Sequence, residues 1–134
     1  MRVSRQADYA IRVVLDLSLH REARIREIAR RQHLSPSYVG RISQRLGRMG
    51  ILENRRGRLG CLGLACSPDQ ITLLDVIEAV DGPVNVDRCL LAPDECGRES
   101  SCPVYKVGQE ILLLGMAKLS SVTFAGLLKD DQTK

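Results

Sequence analysis

Between Arg31 and Val39 the chain stops one amphipathic helix and starts another, and that junction restricts the possible fold more than any other feature. Ile25-Arg26-Glu27-Ile28-Ala29-Arg30-Arg31 places Ile25, Ile28 and Ala29 on one helical face. Gln32-His33-Leu34 interrupts the pattern. Ser35 then supplies a hydroxyl acceptor at the N-cap, and Pro36 suits the first helical position, where its missing N–H is not needed. The helix that follows turns Val39, Ile42, Leu46 and Met49 inward and Ser37, Tyr38, Arg41, Gln44, Arg45 and Arg48 outward. Gly50 ends it. Two short helices joined by a tight turn, the second with an open polar face, describe a helix-turn-helix.

The flanking residues extend that motif. Ile51-Leu52-Glu53 and Leu62-Gly63-Leu64-Ala65 read as two strands around a Gly-containing tip that carries Arg55, Arg56 and Arg58. Such a basic hairpin is a wing, which brings arginines to the phosphates and minor groove beside a recognition helix. Upstream, residues 8–19 form a helix with Ala10, Val13, Val14 and Leu17 as its apolar stripe and Asp8, Arg12 and Asp16 along its polar side. Downstream, Thr72 caps a helix to Val80, which Gly82-Pro83 stops.

Charge separates the chain along its length. Residues 1–60 hold 14 Arg, no Lys and five acids, a net of +9, whereas residues 61–134 come to −5. Arginine without lysine suits fork-like contacts to phosphate and to guanine edges. With no Trp, one Phe and three Tyr, the composition argues against an aromatic base-stacking platform. No apolar run approaches the ~18 residues of a spanning helix. The first residues lack the apolar core of a signal peptide, so a cytoplasmic, membrane-free protein is expected.

Residues 85–103 lose periodicity and contain Cys89, Cys96 and Cys102; Cys61 and Cys66 lie in the wing, where small buried residues are expected. In a cytosolic chain, clustered cysteines bind metal or sense redox state more often than they form structural disulfides. Spacings of six and five are wider than usual zinc pairs and suit wrapping around an iron–sulfur cluster. Three thiolates leave a fourth position, for which Tyr105, His20, His33 and Asp8 are the candidates. From Pro103 or Val104 to about Leu119 a helix carries Val104, Val107, Ile111 and Leu114, with Gly108 and Gly115 permitting close approach. It is too apolar for an exposed face. A dimerisation helix is expected, with burial in its own domain's core as the alternative. Thr123 to Leu128 reads as a closing turn and the remainder as a frayed tail.

Asp8-Tyr9-Ala10, Ser35-Pro36-Ser37-Tyr38-Val39, Arg55-Arg56-Gly57, the run Ile71 to Pro83, the three-cysteine segment and Val122-Thr123-Phe124 together resemble the Rrf2 family of winged-helix regulators. That family includes iron–sulfur cluster regulators and nitric-oxide-sensing repressors. The resemblance implies a homodimer on palindromic double-stranded DNA, with a long helix crossing between subunits and cluster state controlling DNA affinity. It implies Cys89, Cys96 and Cys102 as ligands of a 2Fe-2S or 4Fe-4S cluster. Tyr105 stands where one branch has a His ligand, so the resemblance points instead to Asp8 of the partner subunit. It further implies base reading by Ser35, Ser37 and position 40, which is Gly40 here rather than an acid, and a minor-groove role for Arg56.

The resulting expectation is a mainly α protein with a small β-hairpin. Residues 1–83 form the winged helix-turn-helix, 84–103 the cluster loop and 104–134 the dimerisation helix and tail. A cluster-free regulator using thiol oxidation or a partner protein is the alternative. An electron carrier has no need of a recognition helix, and no nucleophile–base or phosphate-cradling constellation argues for an enzyme.

Overall fold

Ser4 starts the first helix, α1 (Arg5–His20), three residues ahead of the apolar stripe: its hydroxyl accepts from the Ala7 N–H at 3.0 Å. The computed structural model describes residues 3–55, 60–84 and 102–132. After α1 come β1 (Glu22–Arg24), α2 (Ile25–Gln32), α3 (Pro36–Arg48), β2 (Leu52–Asn54), β3 (Cys61–Leu64), a 3-10 turn at Pro68–Gln70, α4 (Leu73–Asp81), α5 (Pro103–Ser121) and α6 (Phe124–Gln132). The fold is mainly helical with one small antiparallel sheet.

α1 is the central element, packed against α2, α3, α4 and α6. Ala7, Ala10, Val13, Val14 and Leu17 are fully buried, and the small side chains let neighbouring helices approach closely. Asp16, expected on the polar side, is buried as well, at 1% exposure. α2 covers that side of the helix: Arg31 Nε and Nη2 donate to the two Asp16 oxygens at 2.9 and 2.7 Å, and Gln32 Nε2 donates at 3.1 Å. This network ties the helix-turn-helix to α1.

The turn between α2 and α3 has an unusual residue at its centre. His33 adopts a left-handed conformation (φ 55°), and Leu34 N–H returns to the Ala29 carbonyl at 2.9 Å. α3 ends in the same way at Gly50 (φ 76°), where a side chain would be strained. Gly50 N–H bonds to Gly47 O, and Ile51 N–H bonds to Leu46 O, closing a Schellman motif whose apolar contact joins Leu46 and Ile51 in the core. Met49, expected inward, is 62% exposed, and Ser43 faces inward in its place.

The wing strands pair as expected, with Leu52 opposite Leu64 and Asn54 opposite Leu62. β1 was not anticipated. It adds to the other edge of β3, so the order is β1-β3-β2 and β3 is buried along its whole length. Cys61 is buried there as expected, while Cys66, expected to be buried as well, is exposed.

Thr72 caps α4 with a reciprocal pair: its hydroxyl accepts from Asp75 N–H, and the Asp75 carboxylate accepts from Thr72 N–H. The segment expected as a closing turn is instead α6. It is clipped on by Leu73 N–H to Val122 O and Phe124 N–H to Ile71 O, both 3.0 Å, and Phe124 is fully buried in the common core.

Candidate nucleic-acid interface and cysteine site

One face of α3 is fixed in the core by Val39, Ile42 and Leu46. The other presents Ser37, Tyr38, Arg41, Gln44, Arg45 and Arg48, all exposed as the sequence implies. Ser35 Oγ accepts from Tyr38 N–H at 3.2 Å, so this serine holds the helix start as well as standing at its outer edge. The interior cost of Gly40 is not repaid by packing: a Cβ there would meet Ile25 Cδ1 at an ordinary 3.9 Å. The glycine leaves room on the recognition helix.

Two guanidiniums are arranged by aromatic rings. Arg41 lies 5.4 Å from the Tyr38 ring centroid and Arg12 lies 5.8 Å from that of Tyr9. The two rings meet edge to face at 5.5 Å, so α1 and α3 share one cation–aromatic array. Ser37 Oγ accepts a long bond from Arg41 at 3.5 Å. Tyr9 and Arg12 were not among the sequence candidates for this surface; their three-residue spacing on α1 was the available signal.

Arg45 differs from its neighbours. Its Nη1 donates to Gln6 Oε1 at 2.7 Å and to the Val80 carbonyl at 3.1 Å, joining α3 to α1 and α4. Arg55 is also engaged: it pairs with Glu53 at 2.6 Å, donates to Leu64 O at 3.3 Å and lies over Gly63. A Cβ at Gly63 would meet the guanidinium, which would have to swing aside. Arg56 and Arg58 lie outside the described residues. Arg26 and Arg30 on α2 are exposed, Arg26 in its first turn and Arg30 in its last, next to the turn into α3.

Arg31 is held above the ordinary arginine range, chiefly by its hydrogen bonds to Asp16. It stays charged at any neutral pH and orients the α2–α3 unit.

Of the cysteine-site candidates, Asp8 stands in the first turn of α1, 47% exposed, paired with Arg12 at 3.1 Å. Cys102 is the N-cap residue of α5; it is half-buried, and its sulfur makes no capping hydrogen bond. Cys89 and Cys96 lie outside the described residues, and among the described residues no three ligating side chains converge. His20 and His33 are exposed and Tyr105 is half-buried. An accessible carboxylate and an unbonded thiol have the donor chemistry that iron requires.

Residues 3–130 match the Rrf2 family, described as iron-dependent transcriptional regulator. The chain is 28% identical over 136 residues to the HTH-type transcriptional regulator NsrR of Bacillus subtilis, covering 98% of this chain and 93% of that one. Among solved structures it is similar to IscR of T. potens, with a TM-score of 0.76, 25% identity and coverage of 98% and 88%. It shares its fold with CymR, the global cysteine regulator of B. subtilis, at a TM-score of 0.78, 22% identity and 95% coverage of both chains. These relatives are named as regulators, and none as an enzyme.

Proposed function

This chain belongs to the Rrf2 family of transcriptional regulators, and we propose that it acts as a homodimer on palindromic double-stranded DNA under the control of an iron–sulfur cluster. The observation that carries the DNA reading is α3, a helix locked by its inner face with every outward polar residue exposed and two of its arginines differently prepared. Ser37, Tyr38, Arg41, Gln44 and Arg48 face the major groove, with Ser35 and Gly40 at its edge. Arg56 and Arg58 of the wing reach the neighbouring phosphates and minor groove.

The cluster reading rests on the three-thiol segment of the sequence and the donor atoms of Cys102 and Asp8. Cys89, Cys96 and Cys102 hold the group and Asp8 of the partner subunit completes the set. When bound, it supplies a redox-sensitive and nitric-oxide-sensitive centre. A carboxylate drawn away from Arg12 changes the charge beside the Tyr9–Tyr38 pair and so reaches α3. The energetic demand is modest, since a ~100-fold change in DNA affinity needs about 2.7 kcal/mol of coupling.

The test is anaerobic purification, a visible spectrum, and iron and sulfide per subunit. Stoichiometric iron and sulfide are expected, with the ratio giving the cluster type. Cys96→Ala is expected to remove the cluster and the difference in DNA affinity between anaerobic and air-exposed protein, while the circular dichroism spectrum stays unchanged. A colourless protein that resists reconstitution overturns the cluster reading. Loss of two hydrogens per pair on oxidation would then assign the cysteines to thiol chemistry.

A further inference from the structure

We propose that Arg45, although on the outward face of the recognition helix, is its positioning residue rather than a contact to phosphate. The inference rests on the DNA-binding reading above. Both hydrogens of Nη1 are committed, one to Gln6 Oε1 at 2.7 Å and one to Val80 O at 3.1 Å. Gln6 lies in the first turn of α1 and Val80 in the last turn of α4, so a single atom fixes α3 against two other helices.

The α4 end explains why a cation belongs there. The last four carbonyls of a helix lack intrahelical partners and carry a partial negative charge. α4 has no basic residue in its last turn and instead ends with Glu78, Ala79, Val80 and Asp81. Arg45 supplies the missing cation from another helix and satisfies the Val80 carbonyl directly. Ser4 Oγ, at the N-cap of α1, donates to Asp81 Oδ1 at 2.6 Å and closes the same junction. Three helix segments therefore meet around one guanidinium.

Arg41 shows the contrast. It is one turn earlier on the same outward face, and its described contacts, to the Tyr38 ring and Ser37 Oγ, are on its own helix. That arrangement aims a guanidinium without anchoring it elsewhere. Arg41 is free to exchange its partners for a phosphate or a guanine edge, whereas Arg45 keeps Nη1 on α1 and α4 and has only its Nε and Nη2 hydrogens outside that joint. The joint also lies close in sequence to one candidate cluster ligand, Gln6 being two residues before Asp8.

A positioning residue and a phosphate contact differ in salt dependence. Each phosphate contact adds about 0.9 to the slope of log affinity against log salt, while a residue that only holds the helix adds nothing. A duplex is first enriched by the wild-type protein from a random library. Affinities for it and for an unselected duplex are then measured across salt concentrations for wild type, Arg41→Ala, Arg45→Ala, Gln6→Ala and the double variant Gln6→Ala/Arg45→Ala.

Arg45→Ala is expected to weaken binding to the selected duplex ~10-fold with an unchanged slope, and binding to the unselected duplex by less than ~2-fold. Arg41→Ala is expected to lower the slope by about 1. Gln6→Ala is expected to weaken selected binding ~3-fold, with the double variant no worse than Arg45→Ala alone, because both remove one joint. A general loss of stability would lower the melting temperature without changing the ratio of selected to unselected affinity of the folded protein. The inference falls if Arg45→Ala flattens the slope by about 1 and weakens both duplexes equally, which makes Arg45 a phosphate contact. It also falls if selected binding is unchanged, or if Gln6→Ala has no effect. Failure of the wild type to enrich any duplex is a separate outcome: it removes the DNA reading, and this inference with it.

Discussion

Ser43 Oγ lies on the buried side of α3 and is, among the described residues, a buried side-chain oxygen with no hydrogen-bond partner. A hydroxyl left so costs about 1–3 kcal/mol. Ser43→Ala removes the hydroxyl, keeps the Cβ and improves helix propensity, so it is expected to stabilise the protein by about 1 kcal/mol. The urea midpoint should rise with the slope unchanged; a lower midpoint would mean that the hydroxyl has a stabilising partner. Ser43 also shows what residue-level reading misses. The sequence pattern assigned Ser43 to neither face and put Met49 in the inward stripe, yet the helix ends before Met49 can reach the core. The same holds for Arg55, which looked like a wing-tip cation. It folds back over Gly63 because the missing side chain there leaves a seat for the guanidinium.

At the scale of the element, caps and stops were legible and lateral contacts were not. Ser35-Pro36, Gly50 and Thr72 act through bonds to residues within a few positions, so their chemistry is written locally. β1 was missed because Glu22-Ala23-Arg24 has three residues, no β-branched side chain and no partner until β3 arrives. Asp16 was misplaced for a related reason. Its four-residue spacing from Arg12 marks a polar stripe, but α2 covers that stripe and converts a surface acid into a buried one. The pair with Arg31 is one-sided in exposure, 1% for Asp16 and 31% for Arg31. Asp16→Asn removes the charge while preserving shape, leaving Arg31 to regain water. It is expected to cost about 2 kcal/mol, below the ~3–5 kcal/mol of a fully buried pair, and to loosen α2 and α3 from α1. Chemical denaturation checks the first effect, and hydrogen exchange in residues 25–48 the second. Equal exchange in variant and wild type would show that Asp16 does not hold the helix-turn-helix. The raised Arg31 pKa has a definite sign: its share of the stability is complete below the ordinary arginine value and is lost only as pH rises through the higher folded value. That share is therefore constant across neutral pH.

At the scale of the molecule, α5 is the element whose own fold does not account for it. None of its 19 residues is buried, and Val104, Val107, Ile111, Leu113 and Leu114 are 40–71% exposed. The excess of apolar residues was legible in the sequence; the choice between self-burial and a second copy was not, because both use the same pattern. The open face of α5 supports the proposed homodimer, as a helix-turn-helix normally reads two half-sites. Leu114→Asp places a charge at the most exposed of these positions, where the monomer loses no buried contact and only some helix propensity. The core formed by α1, α3, α4 and α6 should persist with its circular dichroism unchanged. Sedimentation should show a dimer for the wild type and a monomer for the variant. Affinity for a selected palindromic duplex should then fall by 10²-fold or more, because the second half-site no longer benefits from the first. Loss of DNA affinity without loss of the dimer would place α5 at another interface. A variant that remains dimeric and binds normally would show that the exposed face of α5 has no part in assembly, and the paired recognition helices would need a different joint.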